Sequence, residues 1–172
     1  MSNIDIFIPR ITAPTETDLN YISHYPPFNG YNYCIIINPS SGFVLPNCTG
    51  YCWGRWREVL GEYHNLSRSD ATNWYGNTSD GYERGQTPKV MAVACWSGGS
   101  GGEGHVAIVE EIRTNGIFCS ESAYNSYTFR NNLYPLNMSK SGYTFQGYIY
   151  FPNDLMDLNT FVVLIKKKRG RL

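Results

Sequence analysis

Near residue 88 the sequence changes from helix-compatible spacing to short apolar runs rich in β-branched residues. "KVMAVACW" (89–96) and "HVAIVEEI" (105–112) flank the glycine-rich stretch "SGGSGGEG". "GIFCSES" (116–122), "YTFQGYIYF" (143–151) and "TFVVLI" (160–165) follow. Runs of this kind bounded by turn residues read as strands. Upstream, Cys48, Tyr51, Cys52, Trp56, Val59 and Leu60 recur near helical spacing behind a Pro46-Asn47 turn and cap. A second short helix fits "SRSDATNWYG" (67–76), with Ser67 or Ser69 as cap and Gly76 as stop. Helices first and consecutive strands after them predict an α+β fold, N-terminal helices packed on an antiparallel β-sheet, rather than a parallel α/β one.

A chain of 172 residues is expected to form one domain. Residues 1–45 read as an N-terminal extension, 46–151 as the core, and 152–172 as a last strand and a basic tail. A hydrophobic fraction of 42% with 15% aromatics excludes a disordered chain. The formal net charge of zero argues against a nucleic-acid partner held by overall positive charge. No apolar run approaches the roughly 20 residues of a membrane span. The N-terminus has no basic start followed by an apolar stretch, so a product made in the cytoplasm without a signal peptide is expected.

Five cysteines, at positions 34, 48, 52, 95 and 119, make an odd set scattered through apolar sequence, which suits reduced thiols better than a disulfide scaffold. Most should be small buried hydrophobes. Cys48 and Cys52 have no second Cys or His pair at zinc-finger spacing, and no metal or other cofactor is expected. The glycine-rich stretch lacks the Lys-Ser/Thr of a phosphate-binding loop and precedes a strand, so it reads as a flexible loop.

Chemistry is left to the cysteines and three histidines. His24 and His64 lie in polar or Pro/Tyr-rich sequence and read as surface residues, whereas His105 opens a strand directly after the glycine loop, a place suited to a general base. A cysteine nucleophile acts as the thiolate, which a helix N-terminus favours. Cys48 falls in the first helical turn and Cys52 one turn further in, on a face that must pack against the sheet. This prefers Cys48 as nucleophile and Cys52 as core.

In this order, "NCTGYCWGRW", "GHVAIVEEI" and "SES" resemble the cysteine, histidine-dependent amidohydrolase/peptidase (CHAP) family. This papain-like group cleaves peptidoglycan, and many members are bacteriophage lysins. "DATNWY" and "PKVMAVACW" resemble the family's Ala-x-x-Trp segment and first core strand. The resemblance covers roughly residues 46–151. It implies a papain-like fold, with Cys48 of Cys48-Thr49-Gly50-Tyr51 as nucleophile, His105 as base and Glu121 orienting the histidine. "GYCWG" also partly resembles papain's own motif, a register that would promote Cys52. Two positions depart from the family: Ala123 stands where an asparagine is frequent, and Met91 where a glycine is common. The calcium loop of some relatives is not supported, since residues 29–46 contain no Asp or Glu.

The implied reaction is acyl transfer on an amide of the peptidoglycan stem peptide or of the sugar–peptide link. Asn47, and Trp74 and Tyr124 in aromatic loops, are candidate substrate contacts. The basic tail is a candidate contact for anionic wall polymers, and the protein is expected to act on the wall after release from the cell. A non-catalytic wall-binding module and an intracellular papain-like protease are the alternatives.

The orienting residue depends on the 105–122 hairpin. An Asn-Gly loop pairing Thr114 with Ile117 sets Glu121 on the face opposite His105. A three-residue loop pairing Arg113 with Ile117 sets Glu121, Ala123 and Asn125 on the His105 face. Regular continuation of the second register favours Asn125, and the resemblance favours Glu121.

Overall fold

The computed structural model describes residues 7–15, 18, 20–21, 36–38, 43–45, 47–123 and 127–152. Strands β1 (Ile36–Asn38) and β2 (Phe43–Leu45) pair as a separate two-stranded sheet. Helix α1 (Cys48–Leu60) follows. The main sheet contains β3 (Arg84–Gly85), β4 (Val93–Gly98), β5 (His105–Arg113), β6 (Gly116–Ala123), β7 (Tyr127–Tyr134) and β8 (Tyr143–Ile149). Its order is β3-β8-β4-β5-β6-β7, and every pairing is antiparallel. The architecture is therefore α+β, one helix packed on a six-stranded antiparallel sheet. The strand expected at 160–165 and the basic tail lie outside the described residues.

The helix has defined ends. The Asn47 side chain accepts the Gly50 N–H at 2.8 Å, satisfying one of the donors that a helix start leaves open. Gly61, at φ 73°, stops the helix in the left-handed conformation and donates its N–H to the Arg57 carbonyl at 2.9 Å. Tyr51, Cys52, Trp53 and Trp56 are buried between, against Val93, Cys95, Val106, Ile108 and Ile149 of the sheet. Alternate residues of the same strands, Ala94, Trp96, Ala107 and Val109, join Ile117, Cys119, Tyr134 and Tyr148 in a second cluster. Both faces of the central strands are thus buried, which is why they read as continuous apolar runs rather than as alternating ones.

Several local expectations give way to the structure. The second helix is only a 3-10 turn, Ala71–Asn73, and its Asp70 cap position makes no side-chain capping bond. Thr72 instead gives its N–H to the Glu103 carbonyl at 2.7 Å, tying the turn to the glycine-rich loop. That loop is pinned rather than free, because Gly99 and Gly104 donate to the carbonyls of Gly142 and Gly98, both at 2.9 Å. Gly104 has φ +77°, and a Cβ there would lie 2.4 Å from the Thr72 nitrogen, so only glycine allows this approach. His64 is not a surface residue. It is buried, with Nε2 bonded to the Trp53 carbonyl at 2.8 Å and Nδ1 accepting the Leu66 N–H at 3.3 Å, and burial pushes its pKa down to about 4. Strand β7 has no counterpart in the sequence reading, since Arg130-Asn131-Asn132 breaks any β-prone pattern. The backbone pairing from Ile117↔Tyr134 to Ala123↔Tyr127 sets it as an edge strand.

Met91 adopts φ 65°, a conformation that suits glycine, at the position where the resemblance calls for one. Its side chain is fully buried, and its carbonyl accepts the Trp56 indole N–H at 2.8 Å. Core filling offsets the strained backbone.

Candidate active site

Helix α1 begins at Cys48, so the thiol sits where backbone N–H groups and the positive end of the helix dipole point outward. Asn47 shapes this end: its Oδ1 accepts from Thr49 Oγ1 as well as from Gly50 N, both at 2.8 Å. Cys48 remains partly exposed, whereas Cys52, one turn on, is completely buried in the helix–sheet core. Burial pushes the Cys52 thiol well above its ordinary pKa, with the nearby Cys48 adding to the effect. Burial likewise raises Cys95 and Cys119. Replacing Cys52 by Ala is expected to lower stability by about 1–2 kcal/mol and leave turnover per folded molecule unchanged. Urea denaturation beside a rate measurement checks both.

His105 opens β5, buried at 4% exposure, and its Nε2–H donates to Glu121 Oε2 at 2.6 Å. A carboxylate only accepts, which fixes the tautomer of the neutral ring and leaves its other nitrogen as an acceptor, on a ring that lines the same cleft as Cys48. Glu121 has no exposed surface. It also accepts from Tyr134 Oη and Arg130 Nε, each at 2.7 Å, and Lys140 Nζ donates to the Tyr134 hydroxyl at 3.1 Å. Trp96 and Tyr143 flank the imidazole at ring-centroid distances of 5.9 and 6.1 Å.

Electrostatics follow from these contacts. Burial opposes charge on His105, but its neighbours Cys48 and Glu121, the latter through its hydrogen bond and charge, outweigh this and raise its pKa from 6.5 to about 8. Burial also opposes ionisation of Glu121, yet the bond and charge of His105, with bonds from Tyr134 and Arg130, bring it from 4.5 to about 2. A raised histidine pKa stabilises the fold below the unfolded value of 6.5, and this is lost as pH rises through about 8. A depressed carboxyl pKa stabilises above 4.5, and this is lost as pH falls toward 2. Stability from the pair is therefore expected to peak between about pH 4.5 and 6.5. Denaturation of wild type and His105→Ala at pH 3, 5.5 and 9 checks this, the variant losing the alkaline decline.

Cys48 and His105 open into a cleft of about 540 Å³. Asn47 and Thr49 form one part of its lining, Asp70, Ser100 and Glu103 another, and Tyr143 stands near the histidine. Of the expected substrate contacts, Asn47 is at the cleft, while Tyr124 and the alternative orienter Asn125 lie outside the described residues. Trp74 is placed elsewhere: it is fully buried in the core, its indole N–H held by the Ser69 carbonyl at 2.9 Å. Its bulk supports the turn that carries Asp70 and does not meet the cleft. Asp70, Glu103 and Tyr143 were not singled out from sequence, because only the folding of three separate segments brings them together. Among the described residues no group of three or more His, Cys, Asp or Glu is arranged to hold a metal.

Neither hairpin register expected from sequence occurs. The loop is Thr114-Asn115, closed by Arg113↔Gly116, and a bulge between Val109 and Glu111 then shifts the pairing to Ile108↔Ser120. Continued from there, the register sets His105 opposite Ala123, with Glu121 its diagonal neighbour on the same face.

The family model for the CHAP domain matches residues 38–125, just over half of the chain. The probable autolysin LDP of Staphylococcus aureus is 31% identical over 120 residues, a stretch covering 69% of this chain and 42% of that protein. A crystal structure of an N-acetylmuramoyl-L-alanine amidase from Staphylococcus aureus superposes with a TM-score of 0.44 at 26% identity, over 59% of this chain and 30% of that one. The chain thus spans less than half the length of either relative. With a cysteine at a helix start beside a strand-opening histidine, and with the family match running through both, the chain belongs to the CHAP domain family.

Proposed function

We propose that the chain is a peptidoglycan hydrolase that cleaves an amide of the stem peptide or of the sugar–peptide link through Cys48. The observation that carries this reading is the buried His105–Glu121 pair beside a cleft that His105 and the partly exposed Cys48 line together. His105 takes the thiol proton, and the thiolate attacks the amide carbonyl. The Cys48 backbone N–H, at the helix start, faces the developing oxyanion. His105 then protonates the leaving amine, and water, activated by the same imidazole, releases the acyl group. Glu121 holds the ring in its tautomer and stabilises the imidazolium throughout. The family match and the likeness to a probable autolysin support a wall polymer as substrate.

Incubation with purified bacterial walls tests the reading through the appearance of new free amino groups. Their release by the protein, and its loss after thiol alkylation, is the expected result. Wall binding without new amines, unaffected by alkylation, would instead identify a binding module. Cleavage of protein substrates with none of walls would point to a papain-like protease.

A further inference from the structure

Strand β5 holds one residue more than β6 at the bulge, and that residue is Glu110. Near the turn the register is Ile112↔Ile117 and Glu111↔Phe118. Continued without the extra residue, it pairs Glu121 with Ile108, whose side chain packs in the α1 cluster. Glu121 would then point toward the helix, and His105 would keep the opposite face. The bulge is what returns the carboxylate to the imidazole.

Glu110 is unusual for a bulge residue, because its carboxylate is completely buried. Arg55 of α1 grips it with Nε on Oε1 and Nη2 on Oε2, both at 3.0 Å. Ser120 of β6 donates to Oε1 at 2.7 Å and accepts the Tyr51 hydroxyl of α1, also at 2.7 Å. The Arg10 backbone N–H completes the set at 3.0 Å. Buried ion pairs are often replaceable by apolar residues with little change in stability, so stability alone does not account for this one. Its contacts join the helix that starts with Cys48, the strand that starts with His105 and the strand that carries Glu121.

We propose that Glu110 is a positioning residue: held by Arg55 and Ser120, it fixes the β5 bulge and thereby keeps Glu121 on His105 and both in register with Cys48. This rests on the catalytic reading above. The bulge is the adjustable part of the hairpin, since an unanchored one can move along a strand pair and flip every side chain beyond it.

The test uses two variants of the full chain. R55M/E110L removes the anchor without leaving a lone buried charge, and E110Q keeps its length and its acceptor oxygen but not its charge. The His105 pKa is read by NMR titration, and kcat and KM are measured on solubilised wall fragments. For R55M/E110L the expected result is a folded protein with kcat reduced tenfold or more, KM within twofold, and His105 titrating below its value of about 8, toward 6.5. E110Q should restore most of kcat and the higher histidine pKa, which separates lost anchorage from lost charge. If R55M/E110L does not fold, E110A, in which Arg55 retains Glu58 and the Ile8 carbonyl, is read in the same way. Wild-type kcat with His105 still near 8 in the anchorless variant, or E110Q as impaired as that variant, overturns the proposal. The titration needs no substrate, so it decides the positioning role even if walls are not cleaved and the proposed function itself fails.

Discussion

Cys48→Ala is expected to abolish amide cleavage, lowering kcat by roughly 10⁴-fold or more, because Cys48 supplies the only thiol among the described residues lining the cleft. The fold should survive. Cys48 is partly exposed at the first helical position, and the capping bonds at this end come from Asn47 rather than from the cysteine. A stability change within about 0.5 kcal/mol is expected for such a site. Cys48→Ser is the sharper companion: it keeps the shape and a hydrogen-bonding group but offers a hydroxyl that an imidazole with a pKa of about 8 deprotonates poorly. Rates on wall fragments and thermal denaturation of the same preparations check the pair of expectations. Full activity in either variant would return attention to Cys52, although its complete burial leaves it no path to a polymer.

Glu121→Ala carries the second largest expected effect, a fall in kcat of about 10²–10⁴-fold. The carboxylate fixes the His105 tautomer and favours the protonated ring, so its loss removes both orientation and charge stabilisation. The sign of the pH effect follows. Glu121 raises the His105 pKa, so the variant's histidine should titrate below about 8, and its pH–rate profile should shift to the acid side. The substitution also leaves the Tyr134 hydroxyl and Arg130 guanidinium without this acceptor. Asn125→Ala, by contrast, should be mild. Glu121 already accepts the His105 Nε2–H at 2.6 Å, which leaves that ring nitrogen no need of a second orienter. A folded Asn125→Ala protein less active than Glu121→Ala would reverse this assignment.

How much of this could be read from sequence depended on how local the signal was. The start of α1 was legible because Asn47 and the apolar positions behind it act within one turn of chain. The central strands were legible because burial on both faces leaves only apolar residues in the runs around Val93 and His105. The edge strand β7 was not, since its place comes from pairing with β6 and its Asn131-Asn132 centre carries no β signal. The candidate site shows the same division. Cys48 and His105 announce themselves through element boundaries, but the contact of Glu121 with His105 turns on one inserted residue. Nothing in "VEEIR" distinguishes Glu110, wholly buried on Arg55, from Glu111, which reaches Arg113 near the surface. Only the long-range partner supplies that information. Trp74 was misplaced for a related reason: an aromatic residue in a polar loop reads as exposed until the core beneath it is known.

The measurement that bears most directly on Cys48 as nucleophile is limited alkylation of the folded protein, with the label located by peptide mass mapping and wall cleavage followed in the same samples. The account predicts that activity falls in proportion to label on Cys48, while Cys52, Cys95 and Cys119 stay unlabelled in their buried sites. Undiminished cleavage by protein fully labelled at Cys48, or inactivation that tracks label on another cysteine, would contradict it.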